Sequence, residues 1–218
     1  MKKLTGTLVY VNVHKPTKSF RKEGQPIKPD EWKASVVLTD EDTVDEFEDY
    51  AKSLDAKVSL KKVKSAEFEE IYKCDLPKDA GKNVWVITLR KSTELGKTGK
   101  PVPELYHPKV YEQTEEDGKI VRQDITKSKI VGNGSFGSIS IDVFTRDNGT
   151  SSLYLKNILV TKLIEYIPEE GEAYNPGSEF DDDEEDEPTP SKPAAKTPAA
   201  KKTAPKNAAK DDDEDPPF

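Results

Sequence analysis

The residues able to do chemistry in this chain are concentrated in two stretches. The first, "HKPTKSFRKEGQPIK" over residues 14–28, sets Lys15, Lys18, Arg21, Lys22 and Lys28 around Phe20. Cations so closely spaced suit consecutive phosphates, and the ring among them offers a base something to stack on. Basic loops are as often plain solvated surface, so the strand faces beside this one must weigh the reading. The second stretch is "DDDEDPPF", in which Asp211, Asp212, Asp213, Glu214 and Asp215 precede Phe218. Acids in such a run steer toward a basic surface, and a phenyl ring fills an apolar pocket.

Catalytic chemistry has little to work with. His14 and His107 are the two histidines, and the sequence holds no phosphate-binding P-loop, no nucleophile elbow and no paired metal-binding histidines. Many of the acids stand in the closing segment, where mobility is incompatible with the fixed geometry that acid–base or two-metal catalysis needs. No catalytic residue, metal ligand or cofactor site is assigned, and the chain does not read as an enzyme. Cys74 is the single cysteine, which rules out an intrachain disulfide and any multi-cysteine zinc site; a half-buried filler is its simplest role.

The elements that must position these residues are mostly strands. Residues 4–14 and 31–39 alternate as strands on either side of the basic loop. Residues 40–54, "DEDTVDEFEDYAKSL", form a helix, with Thr39 or Asp40 as N-cap and Val44, Phe47, Ala51 and Leu54 on one face. A shorter helix covers 65–74, a strand 84–91, and another strand 109–113, which "EEDGKI" turns back on itself. The last hairpin pivots at Asn148 and Gly149, whose positive φ values would make a two-residue turn.

Alternation assigns the faces. Val9, Val11 and Val13 pack inward, leaving Leu8, Tyr10, Asn12 and His14 on the other side, with Tyr10 as a stacking platform. Trp32 shares a face with Ala34, Val36 and Leu38; core or barrel rim is its first reading and stacking its second. Lys33 points the opposite way. Trp85 joins Ile87 and Leu89 in the core, while Arg90 lies across from them. Ile139, Ile141 and Val143 form the apolar face of the last hairpin, with Phe136, Phe144 and Arg146 on the other. Antiparallel strands with inserted helices favour a small β-barrel over a parallel sheet.

Of 218 residues, 42 are acidic and 34 basic, giving a formal charge of −8. That charge is unevenly distributed: residues 179–218 carry 13 acids against 6 lysines, whereas residues 1–178 are close to neutral. Within the latter, residues 40–55 hold eight acids and one lysine, so the remainder is basic. Residues 1–178 therefore read as one folded domain, and 179–218 as a disordered tail in which a Pro/Ala/Lys linker joins two acid blocks. The opening residues are neither a signal peptide nor a membrane span, so the expected compartment is the cytoplasm, with no membrane partner.

Together, "WKASVVLTDED" running into a helix, "IVGNGSFGSISI" opening the last hairpin, "LYLKNILVTKLIEYI" closing it, and an acidic tail with Phe218 resemble the single-stranded DNA-binding proteins of bacteriophages of the T7-like kind. The tail is also similar to that of bacterial single-stranded DNA-binding proteins, although here Pro216 and Pro217 both precede the phenylalanine. The resemblance implies a mainly β OB-fold, a five-stranded Greek-key β-barrel with one or two inserted helices. It implies a non-catalytic protein that coats single-stranded DNA during phage replication, recombination and repair, in the host bacterial cytoplasm. The DNA-binding candidates are Tyr10, Lys15, Lys18, Phe20, Arg21, Lys22, Trp32, Lys33, Arg90, Lys91, Tyr106, Tyr111, Phe144 and Arg146. Through residues 211–215 and Phe218 the tail would recruit replication proteins such as a DNA polymerase or a primase/helicase, with a homodimer through tail exchange as a further option. Two other readings stand beside it: an acidic-tailed chaperone of basic proteins, and a strand-annealing recombination mediator.

Overall fold

The computed structural model describes residues 2–18, 29–96 and 98–168, all within the first of the two units into which the chain divides, Met1–Asp182. Its strands are β1 (Lys3–Thr17), β2 (Glu31–Leu38), β3 (Ala56–Lys57), β4 (Ser59–Lys64), β5 (Asn83–Ser92), β6 (Lys109–Glu116), β7 (Lys119–Asp124), β8 (Ser135–Thr145) and β9 (Ser151–Lys162), with helices α1 (Glu41–Ser53) and α2 (Ser65–Tyr72) between them. They form one sheet in the order β4-β5-β2-β1-β8-β9-β6-β7, and β3 adds to β9 in parallel.

The run β5-β2-β1-β8-β9 is the OB arrangement: the third strand lies on the second, the second on the first, the first on the fourth and the fourth on the fifth. The end strands β5 and β9 come into contact, and β3, with Ala56 beside Ser151, helps bridge them. Curvature is needed where β1 and β8 cross, and there Gly6 stands opposite Gly137. A Cβ on Gly6 would lie 2.2 Å from the Val37 carbonyl oxygen, and one on Gly137 2.2 Å from that of Leu159, so the neighbouring backbones approach only because both side chains are absent.

The barrel interior holds Leu4, Leu8, Val11, Val13, Trp32, Ala34, Val36, Leu38, Ile87, Leu89, Ile139, Ile141, Leu155 and Ile158. Helix α1 closes one end of this core with Val44, Phe47 and Ala51, the face that its spacing sets. Its N-cap is Asp40, whose carboxylate accepts the Thr43 N–H at 3.0 Å; these bonds to Thr43 hold the Asp40 pKa below its ordinary value. A second cluster lies on the sheet's other face, where Phe68 and Tyr72 of α2 cover Val9, Val37, Val63, Val84 and Val86.

The faces of β1 differ from simple alternation. Register runs from Val9 opposite Ser35 to Asn12 opposite Lys33, so three steps on β1 face two on β2. The extra residue is Tyr10, whose φ is 53°, and this β-bulge reverses the inward set from Leu4 and Leu8 to Val11 and Val13. Val9 consequently belongs to the α2 cluster, and Leu8 to the core rather than the outer face. The "GNGS" turn secures the bulge: Asn133 Oδ1 accepts the Tyr10 N–H at 2.7 Å, Asn133 Nδ2 donates to the Tyr72 carbonyl at 2.8 Å, and the Gly134 N–H reaches the Leu8 carbonyl at 3.0 Å.

Of the two hairpins, the one expected at "EEDGKI" is found there, and the last one differs from expectation. Between β8 and β9 only Gly149 has positive φ, and Thr145 pairs with Ser151, so the loop is five residues rather than two. The two-residue turn is between β6 and β7, where Asp117 and Gly118 have φ of 50° and 73° and Glu116 pairs with Lys119.

Candidate nucleic-acid interface

A cleft of about 550 Å³ opens where the ends of the barrel sheet meet, between β3, the later part of β5 and the β8–β9 hairpin. Its lining includes Lys57, Arg90 and Arg146 against the single acid Asp55, with Ser152 and Tyr154 among its other residues. Each cation comes from a different element. Lys57 stands on β3 beside Ser152. Arg90 lies on β5, directly opposite Lys33 of β2, with its guanidinium 3.7 Å from the Glu31 carboxylate.

Arg146 is placed by the hairpin loop. Its N–H donates to the Thr150 carbonyl at 2.8 Å, and Asn148 Oδ1 accepts from the Thr150 N–H at 3.1 Å and from its hydroxyl at 2.8 Å. Asn148 therefore folds the loop by side-chain bonding, not through positive φ. The hydroxyls of Thr145 and Ser151, 3.0 Å apart, join the hairpin's base. Phe144, opposite Ser152, is 56% exposed and holds its ring in solvent at the cleft's margin.

Next to Arg90 on β5, Lys91 is half-buried, and burial lowers its ammonium pKa; Asp142 acts in the opposite direction and Lys156 adds to the lowering. Asp142 and Lys156 are themselves 3.7 Å apart. The region thus keeps an excess of cations around an open cleft, with aromatic side chains at the edge and hydroxyls along one wall, a combination suited to a single polyanionic strand.

A second cleft, of about 560 Å³, opens beside Thr7, Leu76, Phe136 and Ile164. Asp40, Asp75 and Asp79 line it against Lys78 and Lys162, a balance that disfavours a polyanion. Among the described residues no group of His, Cys, Asp and Glu is arranged to hold a metal ion, and no helix is long and apolar enough to cross a membrane.

Of the residues singled out from sequence, Arg90 and Arg146 line the first cleft, Lys33 faces Arg90, and Phe144 and Lys91 stand beside it. Lys15 and Lys18 are exposed at the end of β1, where Thr17 pairs with Glu31. Phe20, Arg21, Lys22 and Lys28 lie outside the described residues, as do residues 211–215 and Phe218. Tyr106 is exposed in a 3-10 turn and Tyr111 half-buried on β6; neither lines the cleft.

Two residues are removed from the DNA-binding candidates, Trp32 because its first reading, core, holds over its second, stacking, and Tyr10 because of the bulge. Trp32 is 6% exposed, its ring 4.5 Å from His107, so it is a core residue with no face to offer a base. Tyr10 sits in the bulge, donates its hydroxyl to the Ile71 carbonyl at 2.8 Å and packs its ring 5.4 Å from Tyr72, so it anchors α2. Lys57 and Tyr154 were missed. The alternation around the buried Leu155 would have turned Tyr154 outward, whereas Lys57 sits in a polar stretch that carries no strand signal.

No family model matches the chain, and no curated protein matches it. Among solved structures it is similar to the single-stranded DNA-binding protein of bacteriophage Enc34 in a C-terminally truncated form, at 14% identity and a TM-score of 0.41 over 76% of this chain and 87% of that one. The same phage protein in complex with single-stranded DNA gives 14% identity and a TM-score of 0.40, over 76% and 88%. The single-stranded DNA-binding protein gp2.5 of bacteriophage T7 gives 16% identity and a TM-score of 0.38, over 80% and 99%.

Proposed function

We propose that this chain is a non-catalytic single-stranded DNA-binding protein that holds its ligand in the cleft between β5 and the β8–β9 hairpin. The observation that carries the reading is the convergence of Lys57, Arg90 and Arg146, from three separate elements, on one open cleft of an OB barrel. Their charges meet phosphates without regard to sequence, while Phe144 and Tyr154 are the rings placed to stack on bases. Bases are free to stack on such rings in a single strand and are already paired and stacked in a duplex, so a single strand is preferred.

The acidic segment 179–218 extends the reading to regulation. A tethered polyanion reaches millimolar effective concentration and so competes electrostatically with DNA, lowering its affinity until enough strand is present to prevail. Residues 211–215 and Phe218 then engage replication proteins, which ties coating of the strand to recruitment during phage replication, recombination and repair. Mobility shifts with labelled dT oligonucleotide, a matched duplex and a basic protein ligand test the proposal. Preferential shift of the oligonucleotide supports it; preferential capture of the basic protein would make the chain a chaperone instead.

A further inference from the structure

The cationic surface does not end at the cleft. Lys57, which lines it, begins a stretch, "KVSLKKVK" over residues 57–64, with four lysines and no acid. All four are exposed, and they run along β3 and β4. Among the described residues, strand β4 ends the sheet and pairs with β5 alone in the ladder. Two consequences follow from that position. Lysines from both faces of an edge strand can bend around it toward the same side. Alternate N–H groups of the strand also point away from β5, and backbone N–H groups bind phosphate oxygens.

Seven residue steps from Lys57 to Lys64 span about 23 Å at strand rise, enough for several successive phosphates. Lys64 is drawn to Glu67 of α2, 3.0 Å away, so the stretch depends on Lys57, Lys61 and Lys62. Lys62 also carries a reporter, since its ammonium lies 5.1 Å from the centre of the half-buried Trp85 ring.

Building on the function proposed above, we propose that the edge of β4 is a second track for single-stranded DNA, continuous with the cleft, in which Lys61, Lys62 and the edge N–H groups hold the phosphates of nucleotides leaving the β8–β9 hairpin. The competing explanation is that the lysines merely keep a bare sheet edge from pairing with other chains.

The test uses the full chain and the variant Lys61→Gln/Lys62→Gln with dT oligonucleotides of about 6 and about 20 nucleotides, bracketing much of the roughly 4–16 that one OB fold occupies. On the longer oligonucleotide the variant's log K against log salt slope should be shallower by about 1.4, two contacts at about 0.7 each for a single strand. On the shorter one, which the cleft alone accommodates, slope and affinity should be unchanged. Binding of the longer oligonucleotide should also change the parent's tryptophan emission, and Trp85→Phe should remove that change. An unchanged slope on the longer oligonucleotide, or an emission change that survives Trp85→Phe, overturns the track and leaves the cleft standing. A parent chain that binds neither oligonucleotide overturns the cleft as well.

Discussion

Replacing Arg90 and Arg146 together by Gln is the most informative change to the cleft. Both line it, one on β5 and one on the β8–β9 loop. Folding should be little disturbed. Arg146 is exposed, and the ion pair of Arg90 with Glu31 spans 3.7 Å between partly exposed side chains, a type worth about 0–1 kcal/mol. Each arginine that neutralises one phosphate of a single strand contributes about 0.7 to the slope of log K against log salt, so the double change should flatten it by about 1.4. Over a fourfold rise in salt the parent should therefore lose about 7-fold more affinity than the variant. Fluorescence anisotropy with labelled dT, repeated at several salt concentrations, measures both slopes. Equal slopes, with the variant folded by circular dichroism, would show that phosphates pass elsewhere.

Three further outcomes are expected. Gly137→Ala should lower the unfolding free energy measured by urea titration by about 1–3 kcal/mol, because its Cβ would meet the Leu159 carbonyl at 2.2 Å, whereas Gly81→Ala, with open space around it, should be near neutral. Burial, with a smaller contribution from Cys74, pushes the Tyr72 hydroxyl pKa from 10 up to about 12. Its neutral form is favoured in the fold, so this stabilisation is complete below pH 10 and lost as pH rises toward 12, by at most about 3 kcal/mol; alkaline unfolding curves of Tyr72→Phe should lack that component. Removing residues 179–218 should tighten DNA binding, most at low salt, while removing Phe218 alone should leave DNA affinity intact and abolish pull-down of replication proteins. Weaker DNA binding after the larger deletion would contradict the tail's competitive role.

Much of the scaffold was legible because local and tertiary preferences agree. Helix α1 combines a cap, acids in its first turn and an apolar stripe, and all three point to the same element. The alternation in β2 and β5 correctly sent Trp32, Ala34, Val36, Ile87 and Leu89 inward. What alternation cannot register is an inserted residue: the bulge at Tyr10 depends on Asn133, 123 positions away, and no local pattern announces it. Strand β4 was missed because "SLKKVK" reads as polar surface; its strand state comes from pairing with β5 at the sheet's edge. The same limit applies to the cleft. Arg90, Arg146 and Phe144 were visible as outward residues, but their convergence with Lys57 arises only when β3 docks on β9.

The most direct test is to locate the strand itself. Ultraviolet cross-linking of the full chain to dT, followed by peptide mass spectrometry, should place the cross-links on the β8–β9 hairpin and the later part of β5, at or next to Phe144, Tyr154 and Arg90. Cross-links concentrated instead around Phe136 and Ile164, in the acid-lined cleft, or on α1 would contradict the account.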